Sequence, residues 1–231
     1  MANKLSLFDA KMGHTCPFAT AKIRIVYRLT ILKHTFYIVK SNNSNNLVII
    51  GLGMDDKKEI RREVRRRIGA LSTEEKSRVA EQIFSDIELM ESFRSAHNIA
   101  LFAAMNDEVP TAIALERWPQ LGKQVVVPRV EGDIMRFYDY SPERMQTGAF
   151  GIEEPMGDEE FAAGDIDLII VPARAFTLRG ERLGRGGGFY DKYMSLPAFR
   201  ATKIGIAFSC QIFDNLPCDK HDILVDSVVY R

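Results

Sequence analysis

The segment from Ile166 to Val171 constrains the fold most strongly, because only Asp167 interrupts its apolar residues. An apolar run of this kind is typical of a strand that is buried on both faces of a parallel sheet. Similar short segments predict five further strands, at Ile99–Ala104, Val125–Val127, Met135–Tyr138, Lys203–Phe208 and Ser227–Tyr230. Helical patterns lie between them, so the sequence predicts an α/β layered fold with a largely parallel sheet flanked by helices.

The helices are predicted from their apolar spacing and their caps. Ile60, Val64 and Ile68 recur every four residues after Asp55 and Asp56, which predicts an amphipathic first helix. A capping-box pattern at Ser72 predicts a second helix as far as about Phe93. Two more helices are predicted at Pro110–Trp118 and Asp191–Leu196. Pro128 is expected to end the strand at Val125–Val127.

A glycine-rich run near the C-terminus carries the strongest functional signal: Arg182-Leu183-Gly184-Arg185-Gly186-Gly187-Gly188-Phe189-Tyr190-Asp191. Glycines allow a tight turn and a close approach to a ligand, and the two arginines add positive charge that suits phosphate. The run lacks the Gly-Lys-Ser/Thr ending of a Walker A loop and the chain position of a dinucleotide fingerprint. A plain surface turn and a nonspecific RNA-binding element remain alternatives at this point.

Further segments narrow the choice. They are Lys57-Lys58-Glu59-Ile60-Arg61, Met105-Asn106-Asp107-Glu108, Gly151-Ile152-Glu153-Glu154-Pro155, Val171-Pro172-Ala173-Arg174-Ala175-Phe176 and Asp222-Ile223-Leu224-Val225-Asp226. Together with the glycine-rich run, and in this order, they resemble the 5-formyltetrahydrofolate cyclo-ligase family from about Lys57 to the C-terminus. The resemblance implies a fold like that of sugar-phosphate isomerases and CoA-transferases. It also implies ATP-dependent cyclisation of 5-formyltetrahydrofolate to 5,10-methenyltetrahydrofolate.

The resemblance also assigns the site residues. It implies that Arg185 and Asp191 are catalytic and that Mg²⁺ is held by Asp191 and Asp222, with Asp226 as an alternative second carboxylate. ATP, the co-substrate, would contact Lys57, Lys58, Arg61 and the loop residues Arg182, Leu183, Gly184, Arg185, Gly186, Gly187, Gly188, Phe189 and Tyr190. The folate would contact Ala103, Glu108, Phe150 and Phe189, and Arg129 would lie near its glutamate tail.

Two of these positions carry an open question. Phe150 is suited to stacking on a flat heterocycle, but an ordinary core phenylalanine explains it equally well. Phe189 stands where relatives usually have tyrosine, so a hydroxyl that could bond the substrate is absent.

Charge and cysteine content exclude several other classes. The chain carries no net charge, and residues 54–231 are slightly acidic, so we expect no nucleic-acid partner. Its three cysteines have no metal-like spacing, which favours free thiols in a reducing compartment. No apolar run is long enough to span a bilayer. We therefore expect a cytoplasmic protein without a membrane partner. We also expect a monomer.

The first 53 residues look unlike the rest. They carry seven basic residues and one acidic residue, and a polar linker follows at positions 41–46. We expect a poorly structured extension before a single catalytic domain at 54–231, with Met54 as the true start of the protein. An organelle transit peptide is the alternative.

Two rival functions follow from the same residues. A non-catalytic nucleotide- or RNA-binding module would use the Arg-Gly loop and the basic first helix, without needing Glu108. A sugar-phosphate isomerase or acyl-CoA transferase of similar fold would need a catalytic carboxylate but no ATP or magnesium.

Overall fold

The computed structural model describes residues 24–31, 34–40, 47–54, 57–148 and 153–231. The chain divides into two units, Met1–Gly53 and Met54–Arg231.

The first unit contains an antiparallel pair. Strands β1 (Arg24–Ile31), β2 (His34–Lys40) and β3 (Leu47–Met54) form a three-stranded sheet in the order β1-β2-β3, and β1 pairs antiparallel with β2. From the sequence we predicted no strands here, and the expectation of a poorly structured extension stays a prediction. The many β-branched and aromatic residues of these strands favour extended structure even without a clean alternation. That the segment is dispensable stays a prediction.

The second unit alternates helices and strands. Its elements are α1 (Lys57–Gly69), α2 (Thr73–Leu89), α3 (Glu91–Ser95), β4 (Asn98–Ala100), α4 (Ala112–Gln120), β5 (Gln124–Glu131), β6 (Ile134–Asp139), β7 (Met145–Thr147), β8 (Glu153–Pro155), β9 (Leu168–Val171), β10 (Ala175–Phe176), β11 (Arg182–Leu183), α5 (Phe189–Met194), β12 (Thr202–Ala207) and β13 (Ser227–Tyr230).

Six of these strands form the central sheet, in the order β13-β12-β9-β4-β5-β6. All neighbours pair in parallel except β5 and β6, which form an antiparallel hairpin at one edge. The largely parallel sheet predicted from the sequence is therefore confirmed. No helix in the described ranges is long and apolar enough to cross a membrane.

The buried strand β9 separates two apolar clusters. Leu168 and Ile170 belong to the cluster that contains the inner faces of α1, α2 and α4. Ile169 and Val171 belong to the cluster on the other face, with Tyr193 of α5. This alternation gives helices on both faces of the sheet, as expected for a layered α/β fold.

Two strand boundaries differ from the prediction, and both have a local reason. β4 ends at Ala100 rather than Ala104, because the Thr111 hydroxyl bonds the Phe102 carbonyl (2.7 Å) and the Ala104 N–H (3.1 Å), which turns the chain away from the sheet. β5 continues through Pro128 to Glu131. The Val126 carbonyl accepts the Leu101 N–H, on the β4 side of the strand. Because backbone groups alternate in direction along a strand, the nitrogen of Pro128 faces the same side, at a point beyond the end of β4.

The second helix is shorter than predicted. It ends at Leu89, and Met90 is extended (φ −73°, ψ 143°) before the short helix α3 begins. The capping box at Ser72 and Glu75 is confirmed.

Candidate active site

Most of the predicted site residues that the structure describes gather at the carboxyl edge of the central sheet, beside β4 and β9. The chain leaves β4 through α4 towards β5, whereas β9 lies on the opposite side of β4 and leads to β12. The strand order therefore reverses between β4 and β9, and a crevice at such a reversal is where open α/β sheets bind ligands. The segments at 101–111 and 172–188 follow these two strands and meet there.

The first of these segments fixes Glu108. Glu108 is 9% exposed, and its Oε2 accepts the Met105 N–H at 2.9 Å. The Glu108 N–H in turn bonds the Met105 carbonyl at 3.0 Å. The backbone thus holds one carboxylate oxygen and leaves Oε1 for other partners.

Arg185 of the glycine loop takes that second oxygen. Its Nε and Nη2 donate to Glu108 Oε1 at 3.0 and 2.9 Å, and Nη2 also donates to Asp107 Oδ1 at 2.5 Å. Partial burial acts to lower the pKa of Arg185, but the two carboxylates outweigh it and the pKa is raised. The structure therefore pairs directly a residue predicted to hold phosphate with one predicted to hold the pterin.

Asp107 and Arg174 complete the cluster, and sequence reasoning gave neither of them a role. Asp107 Oδ2 lies 2.5 Å from Nη1 of Arg174, whose side chain is 4% exposed. Arg65 approaches the same carboxylate with Nε at 3.9 Å. The signal for Arg174 was its position in the otherwise apolar run at 171–176, because a buried guanidinium is costly unless it is paired. Asp107 stood next to Glu108 in a quoted motif without a role of its own.

The glycine loop is shaped by left-handed residues and braced by α1. Gly186 (φ 116°) and Gly188 (φ 68°) adopt conformations that side-chain-bearing residues rarely take. Arg61 donates from Nε to the Gly184 carbonyl at 2.8 Å. Lys57 lies one turn before Arg61 on the same face of α1, and Lys58, at the next position, is exposed.

The other loop side chains divide between core and site. Leu183 is buried in the core, so only its backbone is available to a ligand. Phe189 folds back over Gly187, where an added Cβ would lie 2.7 Å from the ring carbon Cε2. Burial and the nearby charge of Glu108 raise the pKa of Tyr190, so its hydroxyl remains protonated at neutral pH.

Arg182 points inward to Asp191. Its Nη2 donates to Asp191 Oδ1 at 2.6 Å, and its buried Nε has no hydrogen-bond partner among the residues the structure describes. The same Asp191 oxygen accepts the Ile223 N–H at 2.9 Å, which brings the segment containing Asp222 to this point. Asp222 Oδ2 accepts the Asp219 N–H at 2.7 Å and lies 3.6 Å from Nζ of Lys57.

This arrangement fits a magnesium ion. Asp191 and Asp222 each have one carboxylate oxygen engaged by these bonds and are about a fifth exposed (22% and 23%), leaving a hard oxygen donor on each. Asp226 is the wrong alternative. Its carboxylate bonds the Lys203 N–H (2.7 Å) and ammonium (2.8 Å), at the amino ends of β12 and β13, the opposite edge of the sheet. Within the described ranges no group of three His, Cys, Asp or Glu could hold a metal, so further ligands would come from phosphate and water.

Three further residues were predicted to lie at the folate. Ala103 is half-buried in the segment that carries Glu108. Phe150 lies outside the described residues. Arg129 already donates to Glu131 (2.8 Å), Pro155 (3.0 Å) and Gly157 (2.7 Å), which leaves little of its guanidinium for a glutamate tail.

Comparison with known proteins shows which family this chain resembles. Residues 53–231 match the model of the 5-formyltetrahydrofolate cyclo-ligase family. The mouse 5-formyltetrahydrofolate cyclo-ligase is 29% identical, over 76% of this chain and 93% of its own length. The NMR structure of the Aquifex aeolicus 5,10-methenyltetrahydrofolate synthetase is 36% identical, covers 75% of this chain and 89% of its own, and superposes with a TM-score of 0.67.

One relative extends the similarity towards the N-terminus. The mitochondrial 5-formyltetrahydrofolate cyclo-ligase of Arabidopsis thaliana is 27% identical, over 92% of this chain and 87% of its own length. Residues 54–231 make up a smaller share of the chain, so this alignment reaches into the first 53 residues.

Proposed function

The chain belongs to the 5-formyltetrahydrofolate cyclo-ligase family, and we propose that the cluster beside β4 and β9 carries that family's reaction. The substrate is 5-formyltetrahydrofolate, ATP is the co-substrate, and the product is 5,10-methenyltetrahydrofolate with ADP and phosphate.

The chemistry sets the task of the site. An amide oxygen is a poor leaving group, so the formyl oxygen first attacks the γ-phosphoryl group and becomes an imidate phosphate while ADP departs. The neighbouring N10 amine then attacks the formyl carbon and loses its proton, and phosphate leaves as the ring closes. No step requires a protein nucleophile, so the protein contributes mainly orientation and charge stabilisation.

The phosphate half of the site would be built by the glycine loop and α1. Arg185 and Arg61 would neutralise the triphosphate, with loop N–H groups donating beside them. Arg61 supports this role because its side chain rests on the Gly184 carbonyl, next to the loop. Lys57 bonds Asp219, a side chain that is 73% exposed, and such an exposed pair can be exchanged for phosphate at little cost.

The folate half would be built around Glu108. Its Oε2 is already fixed by the Met105 N–H, so the carboxylate has a set orientation before substrate arrives. Oε1 would accept an N–H of the pterin once Arg185 turns to phosphate. The ring of Phe189 would stack on the pterin face.

Asp191 and Asp222 would hold Mg²⁺, which neutralises phosphate charge when it is bound. The buried Nε of Arg182 has no hydrogen-bond partner among the described residues. It would donate to a further oxygen of the nucleotide, or to a water molecule bound beside it.

One observation carries this assignment: Arg185 and Glu108, assigned to different ligands, touch each other. Ligands that replace this contact would place a phosphoryl group beside a pterin, as phosphoryl transfer to the formyl oxygen requires.

The test is incubation of the full chain with 5-formyltetrahydrofolate, ATP and Mg²⁺, following the absorbance of 5,10-methenyltetrahydrofolate. We expect product only when ATP is present. A chain that makes no product but binds RNA in a strongly salt-dependent way would be the non-catalytic module instead.

We also propose that the protein acts as a cytoplasmic monomer, with residues 54–231 as its catalytic domain. The match of the family model to residues 53–231 supports the domain, and the free Cys210 and Cys218 support a reducing compartment. Light scattering after gel filtration should give the mass of one chain, and a mass of two chains would contradict the monomer.

A further inference from the structure

We infer that Asp107 and Arg174 form a positioning pair that keeps Arg185 aimed at the phosphate site after Glu108 has turned to its ligand. The inference rests on the proposed function, because it concerns how one of that site's residues is held.

Asp107 lies between Arg185 and Arg174 and uses a different oxygen for each, while the exposed Arg65 stays 3.9 Å away. Oδ1 accepts Nη2 of Arg185 at 2.5 Å, and Oδ2 lies 2.5 Å from Nη1 of Arg174. The carboxylate therefore links Arg185 of the glycine loop to Arg174, which follows β9 in the chain. Among the described residues, the side chain of Glu108 hydrogen-bonds Arg185 and the backbone of its own segment, so it does not make such a link.

Arg174 gives this link a fixed end. Its N–H bonds the Leu183 carbonyl at 2.8 Å, and its carbonyl accepts Nε2 of the buried Gln211 at 3.1 Å. Gln211 is held in turn by the Phe208 N–H at 2.8 Å. The Arg174 backbone is thus tied on both sides, and among the described residues its guanidinium has Asp107 as its one carboxylate partner.

The charges explain why such a pair would be kept. A guanidinium that is only 4% exposed is costly to bury, and burial lowers the pKa of Arg174. Burial also acts to raise the pKa of Asp107, but its hydrogen bond to Arg185 and the adjacent charge of Arg174 outweigh that effect and the pKa is lowered. Asp107 therefore stays ionised at neutral pH and retains its hold on Arg185.

The role follows from what ligand binding removes. When the pterin takes Glu108, Arg185 loses two of its three described carboxylate bonds and keeps the one to Asp107. Without Asp107 the guanidinium would be free to rotate away, and its contact with phosphate would carry the cost of ordering a long side chain.

The experiment is a double-mutant cycle between Asp107→Asn and Arg185→Ala. The readouts are the Kd of a non-hydrolysable ATP analogue, the Kd of 5-formyltetrahydrofolate and the melting temperature. We expect Asp107→Asn to weaken the ATP analogue about tenfold, the effect of one charged hydrogen bond, and to change folate affinity less than about twofold. In the Arg185→Ala protein, Asp107→Asn should change ATP-analogue affinity less than about twofold.

Arg174 is tested in the same way. Arg174→Leu combined with Asp107→Asn leaves neither charge buried alone, and it should cost no more ATP-analogue affinity than the worse single variant. Asp133→Asn, on a side chain that is 88% exposed, and Arg94→Leu, at an exposed position of α3, are the matched controls and should bind both ligands as the parent does.

Different results would refute the positioning pair and the phosphate role of Arg185. A tenfold loss from Asp107→Asn that persists in the Arg185→Ala protein would overturn the positioning pair alone, as would a parent-like affinity in Asp107→Asn. Unchanged ATP-analogue affinity in Arg185→Ala itself would refute the proposed phosphate role of Arg185, on which the pair depends.

Discussion

The contact between Arg185 and Glu108 predicts that ATP and folate strengthen each other's binding. ATP needs Arg185 and folate needs Glu108, so whichever ligand binds first must break the ion pair. The second ligand then finds its residue already released and does not bear the free-energy cost of breaking the pair. Binding free energies are reciprocal, so the factor by which ATP tightens folate must equal the factor by which folate tightens ATP. Removing either partner of the pair should abolish the effect.

The structure sets the size of this coupling. Arg185 makes two hydrogen bonds to Glu108, at 3.0 and 2.9 Å, and hydrogen bonds to charged groups contribute roughly 1.5–3 kcal/mol each. The Arg185 side chain is 34% exposed and keeps its bond to Asp107, so solvent screens the pair and part of the interaction survives. We therefore expect a coupling of about 1–2 kcal/mol, which corresponds to roughly 5- to 30-fold in affinity.

The assay is calorimetric titration of 5-formyltetrahydrofolate with and without a saturating non-hydrolysable ATP analogue, followed by the reverse titration. Arg185→Ala and Glu108→Gln should each bring the ratio of affinities to about one, whereas Arg94→Ala, at an exposed position of α3, should retain the parent's ratio. A parent protein with independent sites would refute the reasoning, and so would full coupling in Arg185→Ala.

Three further predictions concern other parts of the chain. A protein that begins at Met54 should fold and keep its activity; an insoluble or inactive product, beside an active full chain, would show that the first unit is required. Asp191→Asn removes the charge that Mg²⁺ needs, so the rate should fall by orders of magnitude and partly recover in excess Mg²⁺; an unaltered magnesium dependence would exclude Asp191 as a ligand. Gly187→Ala would place a Cβ 2.7 Å from the ring of Phe189 and displace it, so the KM for folate should rise, while Gly69→Ala, with open space around it, should leave KM unchanged; an unchanged KM in Gly187→Ala would remove the Phe189 ring from the folate site.

Much of the scaffold could be predicted because its signals are local. The spacing of Ile60, Val64 and Ile68 predicts the buried face of α1, and all three are fully buried. The apolar run of β9 predicts a central strand with both faces covered. The glycines at 186 and 188 predict a backbone that other residues rarely adopt, and both have positive φ.

The contacts across the site could not be predicted in the same way, because they depend on distant segments packing together. Arg185 and Glu108 lie 77 positions apart in the chain. Asp226 resembled Asp222 as a ligand, and only the direction of β12 and β13 shows that it lies at the other edge. Pro128 was expected to end β5, but the strand continues past it. Whether a proline ends this strand depends on where the neighbouring β4 stops, which the sequence around Pro128 does not show.

The most direct measurement for the whole account is the ratio of ADP formed to 5,10-methenyltetrahydrofolate formed, in the parent protein and in Arg185→Ala. We expect one ADP for each product molecule in the parent, and a large, parallel loss of both in Arg185→Ala, since the same guanidinium serves the phosphoryl transfer on which ring closure depends. Product without ADP, ADP without product, or an unaltered rate in Arg185→Ala would contradict it.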